Sequence, residues 1–193
     1  MIKQIALGAV LGAIVLFIWS ALAWMIIPWP GEPLRHFTSE DAIVAAIKAN
    51  APRSGNYLIP NEPQRLPGMT EEQYQKATKD AEDRMNNGPM VFAAVRLEPV
   101  SMAKAMVVGF LTNIITVFFA CVLLLQTDRL SYRGRVLFVA GLGLLIFLGG
   151  HVDEWNWWGF SNAYMMMQLG ALVIGWILSG LVIAKFVRGK TAV

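Results

Sequence analysis

The sequence predicts an all-α membrane protein: four transmembrane helices, with a small α+β extracytoplasmic domain inserted between helices 1 and 2. Three observations carry that prediction. The chain of 193 residues is 56% hydrophobic and 15% charged, against about 25% charged for an ordinary soluble domain. The charge deficit is concentrated in four apolar runs, residues 5–27, 105–126, 136–150 and 163–184, whereas charges crowd into residues 32–98. Short segments rich in Lys and Arg all fall on one side of a four-span path, as cytoplasmic loops do. The mean hydropathy of +0.52 averages over these two kinds of sequence.

The predicted organisation is a first transmembrane helix in residues 1–29 and the inserted domain in 30–102. A second helix follows in 103–127, then a cytoplasmic loop in 128–135. Helices 3 and 4 form a hairpin in 136–187 with a Trp-rich outer turn, and residues 188–193 are a cytoplasmic tail. The first run holds about 23 apolar residues, enough to cross a ~30 Å hydrocarbon core. Ser20, Ala21 and Ala23 have the small-residue look of a signal-peptidase site. The run continues past them through Trp24 and Ile27, so an uncleaved span is expected. Pro28 and Pro30 stop it. Gly8 and Gly12 permit close approach of another helix.

Residues 31–102 read differently. Thr38 with Asp41 three residues on opens one helix, and Ile43, Ala46 and Ile47 give it an apolar face. Tyr57, Leu58 and Ile59 read as a short strand. Thr70 with Gln73 is a capping box for a polar helix to about Met85. Residues 90–97 are the best strand in the chain and a partner for residues 57–59. At about 70 residues this domain is close to the size limit for an independent core, so it is expected to lean on the spans, a partner or a second copy.

Hairpin residues 136–150 make a short third span, continued through residues 151–155. The fourth span, residues 163–187, carries small residues at Ala171, Gly175 and Ser179, a stripe for packing on a neighbour. Lys3, Arg129, Arg133, Arg135, Lys185, Arg188 and Lys190 place both termini in the cytoplasm. The acids Asp153 and Glu154 and the inserted domain then fall outside. The implied location is the inner (plasma) membrane.

Chemistry is sparse. The one cysteine, Cys121, excludes an intramolecular disulfide and a Cys-based zinc cluster, and in mid-span it reads as packing. The spans carry no intramembrane charge of the kind that proton relays and voltage sensors use. Asn113 and Gln168 are their polar candidates, suited to interhelical hydrogen bonds. The outer turn is the one concentrated constellation. His151 and Glu154, at i and i+3, share a helical face, and Met165 and Met167 begin the next helix. His, carboxylate and thioether together could hold a transition metal such as copper. Against that, Trp155, Trp157, Trp158 and Phe160 suit an interfacial belt or a docking surface. No nucleophile elbow, phosphate loop, dinucleotide fingerprint or haem motif is present. Residues 32–98 hold ten acids against eight bases, which disfavours nucleic acid.

The leading expectation is a non-catalytic accessory or scaffold protein that packs laterally in a membrane complex, or on itself, with no cofactor. Its expected partners are the bilayer and other membrane subunits or a second copy. Its candidate contacts are the turn aromatics and the stripes Gly8, Gly12, Ala171, Gly175 and Ser179. The alternative is a metal-handling protein using His151, Glu154, Met165 and Met167. A third is an interfacial lipid-modifying enzyme with His151, Asp153 or Glu154 as acid and base.

Overall fold

The computed structural model describes residues 2–127 and 130–188. Asp128, Arg129 and Lys190, which enter the charge argument, lie outside the described residues. Among the described residues, four helices are long and apolar enough to cross a membrane, and two strands form a sheet. The residues divide into two compact units: a helical bundle (1–35, 100–155 and 160–193) and an inserted unit (36–99 with 156–159).

The bundle is built from α1 (Ile2–Met25), α4 (Met102–Leu125), α5 (Tyr132–Gly150) and α7 (Asn162–Phe186), with the short α6 (Val152–Trp158) after α5. Helix α7 packs along both α5 and α1, and α1 also packs along α4. Small residues permit each of these approaches. A Cβ on Gly12 would stand 2.8 Å from Val117 of α4 and 2.9 Å from Ile183 of α7, and one on Gly175 would stand 2.7 Å from the Trp19 ring. On the other side of α7, a Cβ on Gly143 of α5 would strike Trp176 at 2.6 Å. The Ser179 hydroxyl donates to the Gly12 carbonyl at 3.1 Å, and the Trp19 indole donates to the Ala171 carbonyl at 2.7 Å. The core between the helices is Ala13, Val117, Ala120, Cys121, Leu124, Val139, Trp176, Ile183 and Val187.

Helix α5 starts at Tyr132, four residues before the apolar run at 136. Ser131 is its N-cap, and its hydroxyl accepts from the Gly134 N–H at 3.1 Å. Arg133 and Arg135 therefore belong to the helix, not to the connecting loop. Arg135 donates to the Ala184 carbonyl at 3.0 and 3.2 Å and to Leu130 at 2.7 Å. It thereby satisfies a carbonyl in the last turn of α7, the negative end of that helix dipole. At the other end, His151 caps α5, and α6 begins at the next residue. Gly159, at φ +73, ends α6, and Ser161 caps α7.

The inserted unit holds α2 (Glu40–Asn50), β1 (Gly55–Ile59), α3 (Glu71–Asn87) and β2 (Val91–Val95). The strands pair antiparallel, with Tyr57 opposite Ala93 and Leu58 opposite Phe92. Ser39, not Thr38, caps α2 and accepts from the Ala42 N–H, because the helix begins one residue later than the Thr38–Asp41 spacing suggests. The Thr70–Gln73 capping box of α3 forms. Ser54 ties the strand ends: its hydroxyl donates to Glu98 at 2.6 Å and accepts from the Leu97 N–H at 2.8 Å. Trp158 belongs to this unit and stacks on Phe92, centroids 4.7 Å apart. Its interior is thin. Ala51 is its one buried hydrophobic among the described residues, while Phe37, Ile59, Leu66 and Trp157 are each at least 60% exposed.

Candidate functional site: a polar network at the hairpin end

The site forms where α5 gives way to α6. His151 ends α5 and Glu154 follows one turn on, so the two side chains meet as their i, i+3 spacing predicts. Imidazole Nδ1 lies 2.7 Å from Glu154 Oε2. A carboxylate there only accepts, so the imidazole donates its Nδ1–H, which leaves Nε2 free to accept a hydrogen bond or bind a proton.

Tyr164 and Gln168, one turn apart on α7, complete the network. The Gln168 amide approaches the Tyr164 hydroxyl at 3.3 Å and His151 Nδ1 at 3.5 Å through Nε2. An Nδ1–H committed to Glu154 cannot also accept from an amide N–H. The Gln168 Nε2–H therefore goes to the Tyr164 hydroxyl, and its 3.5 Å approach to His151 is a contact only. Gln168 is 9% exposed, and among the described residues no buried side-chain N or O atom lacks a hydrogen-bond partner.

Aromatic side chains enclose this end. Tyr164 packs on Phe160 at 5.1 Å and edge-on to Trp24 at 6.2 Å. Phe147 packs against the His151 ring at 6.2 Å. The Trp29 indole donates to the Ala23 carbonyl, satisfying the end of α1, and its ring lies where a Cβ on Gly170 would be. Trp155 donates to Asn162 Oδ1 at 2.8 Å and so bridges α6 to α7.

The sequence-predicted residues therefore separate. His151 and Glu154 come together and recruit Gln168. Met165 is buried and lines a groove with Phe147 and Trp155, and Met167 is buried in the bundle. Among the described residues no three His, Cys, Asp or Glu side chains gather as a metal site. His36 pairs with Glu40 in the inserted unit. Trp157 is exposed, Trp158 covers Phe92 and Phe160 covers Tyr164. Asn113 is half-buried on α4.

Gly8, Gly12, Ala171, Gly175 and Ser179, offered above for an external partner, all lie in contacts within the chain. Gly8 faces Val187 and Cys121, and the other four join α1 to α7. Two stripes on spans of one chain satisfy each other first, because covalent linkage gives them a high effective concentration.

Sequence reasoning missed Tyr164 as a member of the network. The available signal was its i, i+4 spacing to Gln168, which places a hydroxyl and an amide on one helical face. No known family model, curated protein or solved structure matches the chain, so the functional reading rests on this geometry.

Proposed function

We propose that this chain is a non-catalytic integral subunit of a plasma (inner) membrane assembly, with both termini cytoplasmic and residues 30–102 and 151–162 on the opposite side. The observation that carries the reading is the unfinished interior of the inserted unit. A two-stranded sheet is marginal in isolation, and this one is accompanied by a single buried hydrophobic, Ala51. Phe37, Ile59 and Leu66 stay exposed outside the four helices that are long and apolar enough to cross a membrane. A partner surface would cover them. Aromatic and aliphatic anchors of this kind carry most of the energy at protein interfaces.

The inserted unit and the turn aromatics make the contacts in this reading. The small-residue stripes do not, since they are consumed inside the bundle. Mild detergent extraction from native membranes, followed by native-gel sizing and mass spectrometry, tests the reading. A larger species with this chain at fixed stoichiometry is the expected result. A chain that migrates alone, with the exposed residues still open to labelling, overturns it.

A further inference from the structure

We infer that two copies of this chain pair side by side through α4, with the Asn113 amide of one copy hydrogen-bonded to that of the other. Helix α4 lies at one edge of the bundle, packed along α1 and meeting α5 only slightly. Its inward face carries Phe110, Ile114, Val117, Cys121 and Leu124. Asn113 sits at the middle of the helix, on the flank of that face, and is half-buried.

The other polar side chains around it are already satisfied. The Thr112 and Thr116 hydroxyls donate to the Val108 and Thr112 carbonyls of their own helix, at 2.9 and 2.8 Å. Gln168, the amide of α7, donates to Tyr164. The Asn113 amide makes no hydrogen bond among the described residues. No fully buried side-chain N or O lacks a partner there either, so this amide is open on the outside of the bundle. Gly109, one turn away on the same flank, is open too: an added Cβ would meet nothing within 4 Å. Gly12, Gly143 and Gly175 differ, since each is filled by a neighbouring helix of the chain.

The chemistry of the amide selects the occupant. At the middle of a span there is no water, and lipid tails offer neither donor nor acceptor. An amide carries two N–H donors and a carbonyl acceptor, so it is complementary to a second amide. Charge bias gives every copy the same orientation in the membrane. A twofold axis along the membrane normal then sets Asn113 against Asn113 at one depth. The bare Gly109 backbone lets the two helices approach closely enough for short side chains to meet. The inference does not rest on the subunit reading, whose contacts lie in the inserted unit and the turn.

The full-length chain, carrying a donor or an acceptor fluorophore at its C-terminus, is reconstituted in phosphatidylcholine vesicles. Energy transfer is followed as lipid is added. The expected result is transfer that falls along a dimer dilution curve. Asn113→Leu is expected to weaken pairing about tenfold, and Asn113→Gln, which keeps the amide, to weaken it less. Gly109→Leu fills a position open within the chain and is expected to block pairing while helical circular dichroism is unchanged. In a Cys121→Ser background, Gly109→Cys is expected to give a crosslinked dimer on oxidation with copper phenanthroline. Leu111→Cys, 52% exposed on the opposite side of α4, is expected to give none. A chain that stays monomeric in vesicles, equal pairing in folded Asn113→Leu and Gly109→Leu proteins, or crosslinking through Leu111→Cys instead overturns the inference. So does a native complex that holds one copy of the chain with Gly109 covered by a different protein, a result that would leave the subunit reading standing.

Discussion

Gly12 shows what a single residue decides in this bundle. Its missing side chain lets α1 meet α4 and α7 at one level, where an added Cβ would stand 2.8 Å from both Val117 and the Ser179 hydroxyl. Gly12→Ala is therefore expected to destabilise the bundle by about 1–3 kcal/mol, the usual cost of overpacking. Gly141→Ala is the matched control: nothing lies within 4 Å of the added Cβ, and alanine is the better helix former. Thermal unfolding in detergent should show the first protein melting below wild type and the second at or above it. Ser179→Ala removes only the hydroxyl donation to the Gly12 carbonyl. Its expected loss is smaller, ~0.6 kcal/mol, the average for a hydrogen bond between membrane helices. These roles were half legible in the sequence: the small-residue stripes were visible, but the helices they would meet were not.

Among the elements, α5 and the β1–β2 pair carry the clearest consequences. Ser131 starts α5 four residues earlier than hydropathy indicates, because a cap depends on backbone N–H groups and not on apolar content. Ser131→Ala should cost about 1 kcal/mol. It should fray residues 132–135, including the turn from which Arg135 reaches the Ala184 carbonyl, and faster amide exchange there would reveal it.

In the inserted unit, hydrogen bonds hold two exposed carboxyls below the usual 4.5. For Glu71 the Gln75 amide is the main cause, followed by Arg65. For Glu98 it is the Ser54 hydroxyl. A carboxyl with a lower pKa in the folded state stabilises that state above its unfolded pKa. The contribution disappears as pH falls through the folded value. The inserted unit should therefore loosen below about pH 4, and less steeply in Glu71→Gln. Both groups are fully exposed, so added salt should shrink the effect. A pH series of α3 amide exchange at two ionic strengths checks both statements.

For the molecule as a whole, sidedness is the prediction with the widest consequences. In a Cys121→Ser background, Lys76→Cys is expected to react with a membrane-impermeant maleimide in intact cells. Tyr132→Cys should react only after permeabilisation. The reverse pattern would invert the proposed orientation and move the hairpin end, with its polar network, to the cytoplasmic side.

By itself the sequence determined the four helices long and apolar enough to cross a membrane, the position of the inserted segment and the pairing of Tyr57–Ile59 with the strand after α3. Each follows from signals local to one stretch: an apolar run long enough for a bilayer, a capping box, or alternation between turns. It also placed His151 beside Glu154, because i, i+3 geometry is local to a helix. Only the tertiary structure decided that the stripes of α1 and α7 face each other, that Gln168 and Tyr164 close on His151, and that Phe147 and Met165 share a groove. Those contacts join residues distant in the chain or on separate helices. An almost uniformly apolar helix has no polar face to declare its rotation, so only packing against its neighbours can choose the side it buries.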